Sequence, residues 1–325
     1  MTLRSDVQGL PRELSPPSTQ AARSRLELLL GQGTFVCTSE VTPPKGADPE
    51  ALGRKAEVLA GCADAVNVTD NPTAKVHLSA LVAAHILTRH GLEPVFQLNT
   101  RDRNRLALQA DLLGASALGI RNILALGGDP LSVGNDPTAK TVHDVDATGL
   151  IGLAKRLRDE GKDAGGGEIK PAPQFFIGGT LNPFGGSVDI ALKLFADKIA
   201  AGADFFQTQA VYDVATFESF LDTARSRGLL ERAKVIVGII PLKSPKVARH
   251  LATKVPGIVI PQAILDGIER ASDPEAYGRR LAVELIDELK ALPGVSGVHV
   301  MAVAWEEAVR PILTEAGLLP RPGFS

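Results

Sequence analysis

The chain has 325 residues, 44% of them apolar, and its 35 Lys and Arg residues nearly balance 37 Asp and Glu. This length and composition indicate one large globular domain, and the lack of a basic surplus argues against a nucleic-acid partner. No apolar run approaches the roughly 20 residues of a membrane span, and no apolar signal segment follows Met1, so we expect a cytoplasmic protein without membrane contact. Cys37 and Cys62 are too few for a disulfide framework or a metal cage, so no metal is predicted.

The first 24 residues differ in composition from the rest of the chain. They are rich in Pro, Ser and charge and lack an apolar period, which predicts an irregular N-terminal arm over 1–24. Residues 25–325 are predicted to form a single catalytic domain, because strand-length apolar runs alternate there with longer amphipathic segments, as in a parallel sheet. The predicted strands span residues 34–40, 65–69, 93–98, 122–126, 174–178, 205–208, 235–240 and 297–303.

Helical segments are predicted after each strand. Eight such units favour a closed α/β barrel of the (βα)8 type, although the same alternation is compatible with an open doubly wound sheet. No dinucleotide fingerprint supports the open form, because Gly31 and Gly33 precede a strand instead of following one. The predicted helices span residues 48–60, 75–89, 102–118, 146–160, 187–201, 213–226, 244–253 and 305–316, with two extra helices, 261–270 and 274–292, between strands seven and eight.

Two carboxylates, Glu40 and Asp129, occupy the same relative place in two predicted strands. They end the runs TFVCTSE and NILALGGD, where a buried strand gives way to a loop. Parallel barrels carry out chemistry at this end of their strands, so both carboxylates are expected to face one mouth and the protein to be an enzyme. Gly127 and Gly128 would let a flat ligand approach the backbone, although an ordinary turn explains them equally well.

Five segments stand in order at successive predicted strand ends: TSEVTPPKG, VNVTDNPTA, RDRNRLALQADLLGASALGIRNILALGGDP, NPF and QTQAVYD. Together, between residues 33 and 317, they resemble the methylenetetrahydrofolate reductase family of flavin-dependent TIM barrels. The resemblance implies an oxidoreductase of one-carbon metabolism that interconverts 5,10-methylenetetrahydrofolate and 5-methyltetrahydrofolate. It further implies FAD as cofactor, NADH or NADPH as electron donor, and ping-pong hydride transfer through the flavin.

The resemblance also implies roles for individual residues. Glu40 would be the general acid that protonates the folate as its five-membered ring opens. Asp129 would lie beside the flavin and bind the pterin, and Gln209 would contact both pterin and nicotinamide; these three are the expected catalytic and substrate-binding residues. The expected flavin contacts are Thr69, Asp70, Asn71, Gln97, Gly127, Gly128, Asp129, Asp146, Ala147, Asn182 and Lys198.

Three positions depart from the family pattern. Gln97 stands where the best-known bacterial reductases have histidine, while Gly127 and Trp305 stand where they have arginine. Losing cationic groups predicts looser flavin binding. The residues that either replace the lost charge or are simply solvated are Arg101, Arg103, Arg105 and Lys198.

The roles of a few single residues can also be predicted. Tyr212 is expected either to stack on a flat ligand or to pack at a helix start, and Met301 is expected to lie in the core. Among the histidines, only His143 is expected near a cofactor phosphate, and the others, including His299, are read as surface or hydrogen-bonded core residues.

Two other functions fit parts of the pattern. One is a flavin-free pterin-binding barrel of the methyltransferase kind, which would leave Glu40 unexplained. The other is a non-catalytic subunit of a one-carbon complex, for which a lost carboxylate is expected, whereas Glu40 and Asp129 are both present. The nucleotide donor, the direction of the reaction, a homo-oligomer and an electron-donor partner protein are left open.

Overall fold

The strands form a closed, parallel barrel. The structure, a computed structural model, describes residues 23–323, so the predicted arm lies outside the described residues except for Arg23 and Ser24. Each strand pairs in parallel with the next along the chain, and the eighth pairs with the first, which confirms the (βα)8 barrel and excludes the open sheet. The strands are β1 (Val36–Val41), β2 (Ala65–Val68), β3 (Pro94–Asn99), β4 (Asn122–Leu126), β5 (Phe176–Leu181), β6 (Phe205–Ala210), β7 (Lys234–Ile239) and β8 (Val295–Val300).

Helices cover the outside of the barrel. All ten predicted helical segments are present, including the two extra helices between β7 and β8. Among residues 23–323, no helix is long and apolar enough to cross a membrane. The helices are α1 (Arg25–Gly31), α2 (Pro49–Leu59), α3 (Ala80–Arg89), α4 (Arg105–Ala117), α5 (Ala147–Glu160), α6 (Val188–Ala201), α7 (Val214–Ser226), α8 (Pro245–Lys254), α9 (Gln262–Arg270), α10 (Pro274–Ala291) and α11 (Val309–Glu315).

Three helices begin three or more residues later than predicted: α3, α4, and α11, which follows a 3-10 helix at Glu306–Ala308. The first two differences bear on the site. The helix α3 starts at Ala80 instead of residue 75, because a 3-10 helix, Pro72–Ala74, precedes it and the chain leaves that helix in an extended conformation at Lys75. The helix α4 starts at Arg105 instead of residue 102, because the Asn104 side chain accepts the amides of residues 106 and 107 and caps the helix there. Both differences lengthen loops at the carboxyl end of the barrel, where ligand sites of this fold are built.

The helix α1, which the sequence analysis did not predict, closes the amino end of the barrel. Its Leu26, Leu29 and Leu30 are buried in one cluster with inward residues of the strands, among them Val36 and Phe205. Burying a leucine contributes roughly 1.5 to 3 kcal/mol. Apolar side chains therefore fill the barrel interior at the amino ends of the strands. Most polar side chains of the interior lie toward the carboxyl ends.

Outward-facing strand residues pack against the helices. Cys37 on β1 is fully buried among them, and this burial raises the pKa of its thiol to about 12. The thiol is thus protonated at neutral pH and unreactive. Cys37 therefore acts as a small buried apolar residue of the core.

Candidate active site

A cavity of about 470 Å³ opens at the carboxyl ends of the strands, within the size range of small-molecule sites. It brings together both predicted carboxylates, Glu40 from β1 and Asp129 from the loop after β4, with Gln209 from β6. The other predicted residues that line it are Thr69, Asp70, Gln97, Gly127, Gly128 and Asn182. Those outside its lining are Asn71, Asp146, Ala147 and Lys198.

Glu40 points into the cavity from the inward face of β1. Its side chain is 17% exposed, and the amide Nε2 of Gln97 donates to Glu40 Oε2 across 3.3 Å. The imidazole Nε2 of His299 lies 3.8 Å from the same oxygen. One carboxylate oxygen is therefore surrounded by protein groups, while the side chain remains open to the cavity.

His299 and Met301 line the cavity, and the sequence analysis missed both contributions. His299 is 2% exposed and its Nδ1 lies 2.9 Å from Thr38 Oγ1, so it is a hydrogen-bonded core histidine that also borders the site. Met301, predicted to be core, follows the last residue of β8 and faces the mouth. The sequence of β8 contains a signal for this position of His299. Successive side chains of a strand point to opposite faces, and His299 lies between two valines that pack outward, so its own side chain points into the barrel.

A network of buried polar side chains forms the floor of the cavity. Asn67 Nδ2 donates to Gln207 Oε1 across 2.6 Å, and Gln207 Nε2 donates to Asn67 Oδ1 at 3.1 Å and to Thr38 Oγ1 at 3.3 Å. These residues come from β1, β2 and β6 and are almost fully buried. Because each buried polar group has a partner, the floor is held in one arrangement.

Asp129 is exposed at the mouth, and part of its bonding capacity is already used. Its Oδ2 accepts the main-chain amide of Thr73 across 2.6 Å, and its main-chain carbonyl accepts Arg101 Nη1 at 2.9 Å. Arg101 Nη2 also donates to the carbonyl of Asn71 at 3.3 Å. The arginine thus joins the loops that follow β2, β3 and β4 around the proposed site.

The two glycines after β4 differ in their surroundings. Gly128 has a φ of +84°, and a Cβ atom there would lie 2.9 Å from the Cβ of Arg101, so glycine is required by both conformation and space. A Cβ atom at Gly127 would meet nothing within 4 Å. The turn is therefore determined by Gly128, whereas Gly127 borders open space in the cavity.

The loop after β2 contains two neighbouring polar residues that differ in their hydrogen bonding: Asp70, whose carboxylate has partners, and Thr69, whose hydroxyl has none among the described residues. Asp70 is buried, and its Oδ2 accepts Arg103 Nη1 at 2.7 Å and Asn99 Nδ2 at 2.6 Å. The neighbouring Thr69 Oγ1 is buried but makes no hydrogen bond to any residue that the structure describes. Such a group is normally satisfied by a ligand or by water, and Thr69 is one of the residues that line the cavity.

Each of the three arginines after β3 forms an ion pair with a carboxylate, and Arg105 is in addition open to solvent, with 52% of its side chain exposed. Arg101 is 2% exposed and pairs with Asp102 at 2.6 Å, so it is a buried residue and not a solvated one. Arg103 pairs with Asp70 at 2.7 Å and also with Asp111 at 2.8 Å. The third, Arg105, forms an ion pair of 2.7 Å with Asp144, and its hydrogen bonds lower the pKa of that carboxyl group to about 2.

Lys198 does not line the cavity but holds a residue that does. Its Nζ donates to the carbonyl of Thr180 across 2.6 Å, and Thr180 lines the cavity. Burial lowers the pKa of the Lys198 amine. Asp146, whose charge opposes that shift, caps α5 by accepting the amide of Gly149 at 2.7 Å.

Tyr212 and His143 do not contribute to the lining. The Tyr212 hydroxyl donates to the carbonyl of Ile240 across 2.6 Å and the ring is 3% exposed, so Tyr212 packs at the start of α7 and does not stack on a ligand. Burial raises the pKa of this hydroxyl well above its usual range. His143 is exposed in the loop before α5, outside the cavity lining.

Comparisons with known proteins relate the whole barrel to one family. Residues 25–317 match the family model described as methylenetetrahydrofolate reductase. A Caenorhabditis elegans protein named probable methylenetetrahydrofolate reductase (NADPH) is 26% identical over 320 residues, which cover 94% of this chain but 45% of that protein. The 5,10-methylenetetrahydrofolate reductase of Pectobacterium carotovorum is 26% identical over 241 residues, covering 72% of this chain and 73% of the relative.

One solved structure shares the fold across most of this chain. It is an uncharacterized protein from Clostridium thermocellum that binds two copies of 5-methyl-5,6,7,8-tetrahydrofolic acid. Its TM-score is 0.60 at 16% identity, and the match covers 88% of this chain and 97% of that one. At this level of identity the likeness establishes the barrel architecture.

Proposed function

Because the chain belongs to the methylenetetrahydrofolate reductase family, we propose that it interconverts 5,10-methylenetetrahydrofolate and 5-methyltetrahydrofolate, with FAD as cofactor and NADH or NADPH as electron donor. The chain spans about half the length, 45%, of the Caenorhabditis elegans relative, so the activity is proposed for the barrel alone. The observation that carries the proposal is the meeting of Glu40, Asp129 and Gln209 on one cavity from three strand ends.

The residues around the cavity fit a flat cofactor. Thr69 offers a buried hydroxyl that has no partner within residues 23–323, and Gly127 leaves open space beside the backbone. Leu124 and Leu126 add apolar surface to the lining, which suits a ring system. We infer that these residues would hold the isoalloxazine of FAD, which when bound would carry hydride between nicotinamide and folate.

Glu40 is suited to act as the general acid. Opening of the imidazolidine ring makes N10 a leaving group that requires a proton. Because Gln97 donates to Glu40 Oε2, the other oxygen, Oε1, is left to carry the proton. The 17% exposure of the side chain leaves part of Glu40 accessible, while most of the residue is enclosed by its surroundings.

Asp129 and Gln209 would bind and orient the folate. Since Asp129 Oδ2 already accepts Thr73, its Oδ1 remains for the pterin, and its negative charge would stabilise the cationic iminium formed on ring opening. Gln209 Oε1 accepts the amide of Ala210 at 3.0 Å, which leaves both hydrogens of its Nε2 for ligands. One amide could then serve pterin and nicotinamide in turn.

The charge distribution supports weak retention of FAD. Arg101, Arg103 and Arg105 each have a carboxylate partner, and Lys198 is held against a main-chain carbonyl. A phosphate bound by any of them would compete with an existing interaction. Flavin affinity would then depend mainly on contacts with the ring.

Anaerobic half-reactions test the proposal. Protein loaded with FAD should lose its yellow absorbance on mixing with NADH or NADPH and regain it when 5,10-methylenetetrahydrofolate is added. Folate binding without any flavin binding would favour the methyltransferase-type barrel instead. Absence of both folate binding and flavin binding would favour a non-catalytic subunit.

A further inference from the structure

Two cavities open at the amino ends of the strands, on the face of the barrel opposite to the candidate active site. One has a volume of about 310 Å³ and the other of about 410 Å³, within the size range of small-molecule sites. Arg23 and Arg121 are the two residues that line both cavities. Their side chains therefore lie where the cavities meet, beside the start of α1.

Three carboxylates in these cavities are already bound by other groups of the protein. Asp64 pairs with Arg25 at 3.0 Å, and Asp204 pairs with Arg158 at 2.7 Å. Glu93 accepts the main-chain amides of the first two residues of α1 at 2.7 and 2.9 Å, so its negative charge is held at the start of that helix. None of these three carboxylates forms an ion pair with Arg23 or Arg121.

The two arginines that the cavities share are only weakly neutralised. Arg23 Nε lies 3.5 Å from Glu27 Oε1, and its side chain is 66% exposed, a combination that makes an ion pair weak. Arg121 is half-buried, yet its side chain forms neither an ion pair nor a hydrogen bond with any residue between 23 and 323. A partly buried cation without an anionic partner is unfavourable, so an anion bound at Arg121 would be stabilised.

The main chain fixes the position of Arg121. Its carbonyl accepts the amide of Phe176 at 2.9 Å, and the next residue, Asn122, is fully buried at the start of β4. A fixed main chain lowers the entropy that a ligand must overcome when it binds the side chain. Gly91 and Gly119 in the wall of the larger cavity have no atom within 4 Å of the position of a Cβ, which leaves room there for a ligand.

We propose that Arg23 and Arg121 form a second binding site, for an oxyanion that is the phosphate or carboxylate group of a small metabolite. A guanidinium group can donate two parallel hydrogen bonds to either group, and two such cations at one place favour a doubly charged ligand. The organic part of the ligand would lie in the larger cavity, against Ala63, Leu92 and Pro94.

This site would act on stability and not on the chemistry of the barrel. It lies at the end opposite to Glu40 and Asp129, so its ligand would not compete with folate or FAD. The helix α1 closes the amino end of the barrel with three buried leucines. A ligand that binds beside the first residues of α1 only in the folded protein would stabilise the fold.

Titration of the full chain with inorganic phosphate tests the site. Calorimetry at constant ionic strength, maintained with NaCl, keeps charge screening equal at every point. We expect saturable binding that becomes about 10- to 100-fold weaker in Arg121→Gln, the range for a lost charge-assisted hydrogen bond. Arg121→Lys, which keeps the charge but not the paired donors, should bind with intermediate affinity. Arg23→Gln should also weaken binding, and its exposed position keeps the test usable if Arg121→Gln does not fold.

Arg232→Gln is the matched control. Arg232 is exposed two residues before β7, so it lies at the same end of the barrel, but it belongs to the lining of neither cavity. Its substitution removes the same charge and should leave phosphate binding unchanged. Equal weakening in Arg121→Gln and Arg232→Gln would show general attraction to surface charge and overturn the inference, as would the absence of saturable binding to the wild-type protein.

Two further measurements locate the phosphate and identify the preferred group. The melting temperature of the wild-type protein should be higher in phosphate than in NaCl of equal ionic strength, and this rise should shrink in Arg121→Gln but not in Arg232→Gln. Saturating 5-methyltetrahydrofolate should leave phosphate binding intact, and displacement would place the phosphate in the active site and overturn the inference. Succinate titrated in the same way distinguishes the sources, because tighter binding of succinate assigns the site to a carboxylate and tighter binding of phosphate assigns it to a phosphate.

Discussion

The main-chain amide of Thr73 donates to Asp129 Oδ2 across 2.6 Å and ties the loop after β2 to the carboxylate after β4. Asn71, Thr73 and Ala74 all have positive φ angles, which are unfavourable for residues with side chains. The bond from Thr73 helps to hold this loop at the cavity edge. The carboxylate that we propose as the pterin ligand therefore also has a structural task.

The first prediction separates these two tasks. Asp129→Asn keeps an oxygen that can accept the Thr73 amide but removes the charge, so folate affinity should fall about 10- to 100-fold while the loop stays ordered. Asp129→Ala should lose both folate affinity and the order of the loop. Hydrogen exchange of the Thr73 amide, measured with folate binding, distinguishes the cases. Fast exchange in the asparagine variant would show that the charge itself holds the loop.

The second prediction concerns proton transfer by Glu40. Glu40→Gln should leave flavin reduction by the nicotinamide nearly intact, because that step requires no proton on the folate. Folate reduction should slow by roughly 100-fold or more, as expected for a lost general acid. Stopped-flow absorbance of each half-reaction is the measurement, with the exposed Glu315→Gln as control. Equal slowing of both half-reactions, or of neither, would refute the role.

The third prediction contrasts two glutamines on β6. Gln209→Ala should weaken the handling of folate and nicotinamide by about 1 to 3 kcal/mol each and barely change the melting temperature. Gln207→Ala should lower the melting temperature instead, because Asn67 and Thr38 would lose a buried partner. If Gln209→Ala changes only the melting temperature, this residue is structural and the site lies elsewhere.

The fourth prediction addresses FAD retention. Wild-type protein should lose part of its yellow colour on dialysis and need added FAD for full activity. Gly127→Arg should bind FAD about 10- to 100-fold more tightly, since open space surrounds the position and a charge-assisted bond to phosphate becomes available.

The neighbouring Gly128→Arg is the control for this substitution. Its φ of +84° and the contact with Arg101 should make the variant unstable without improving affinity. Titration of apoprotein with FAD decides between the outcomes. Wild-type binding that survives dilution and dialysis without loss of flavin would contradict the argument from missing charge.

Much of the fold could be predicted from the sequence, because it depends on the local periodicity of apolar residues. Eight apolar runs alternate with amphipathic segments, and a parallel barrel places every strand end at the same face. The meeting of Glu40 and Asp129 followed from their places after two strands, and the motifs identified the family and, through it, Gln209. These features need only the order of residues along short segments.

Other features depended on partners far apart in the chain. Arg103 bonds Asp70, 33 residues away, and Thr38 contacts His299 at a separation of 261 residues. Nothing within a short segment distinguishes a paired arginine from a solvated one, or an inward histidine beside an acid from an ordinary core histidine. The sequence alone therefore determined the barrel, its family and the strand-end residues, whereas the tertiary structure decided which charges are neutralised and which side chains surround Glu40, because those interactions exist only after distant strands have been brought together.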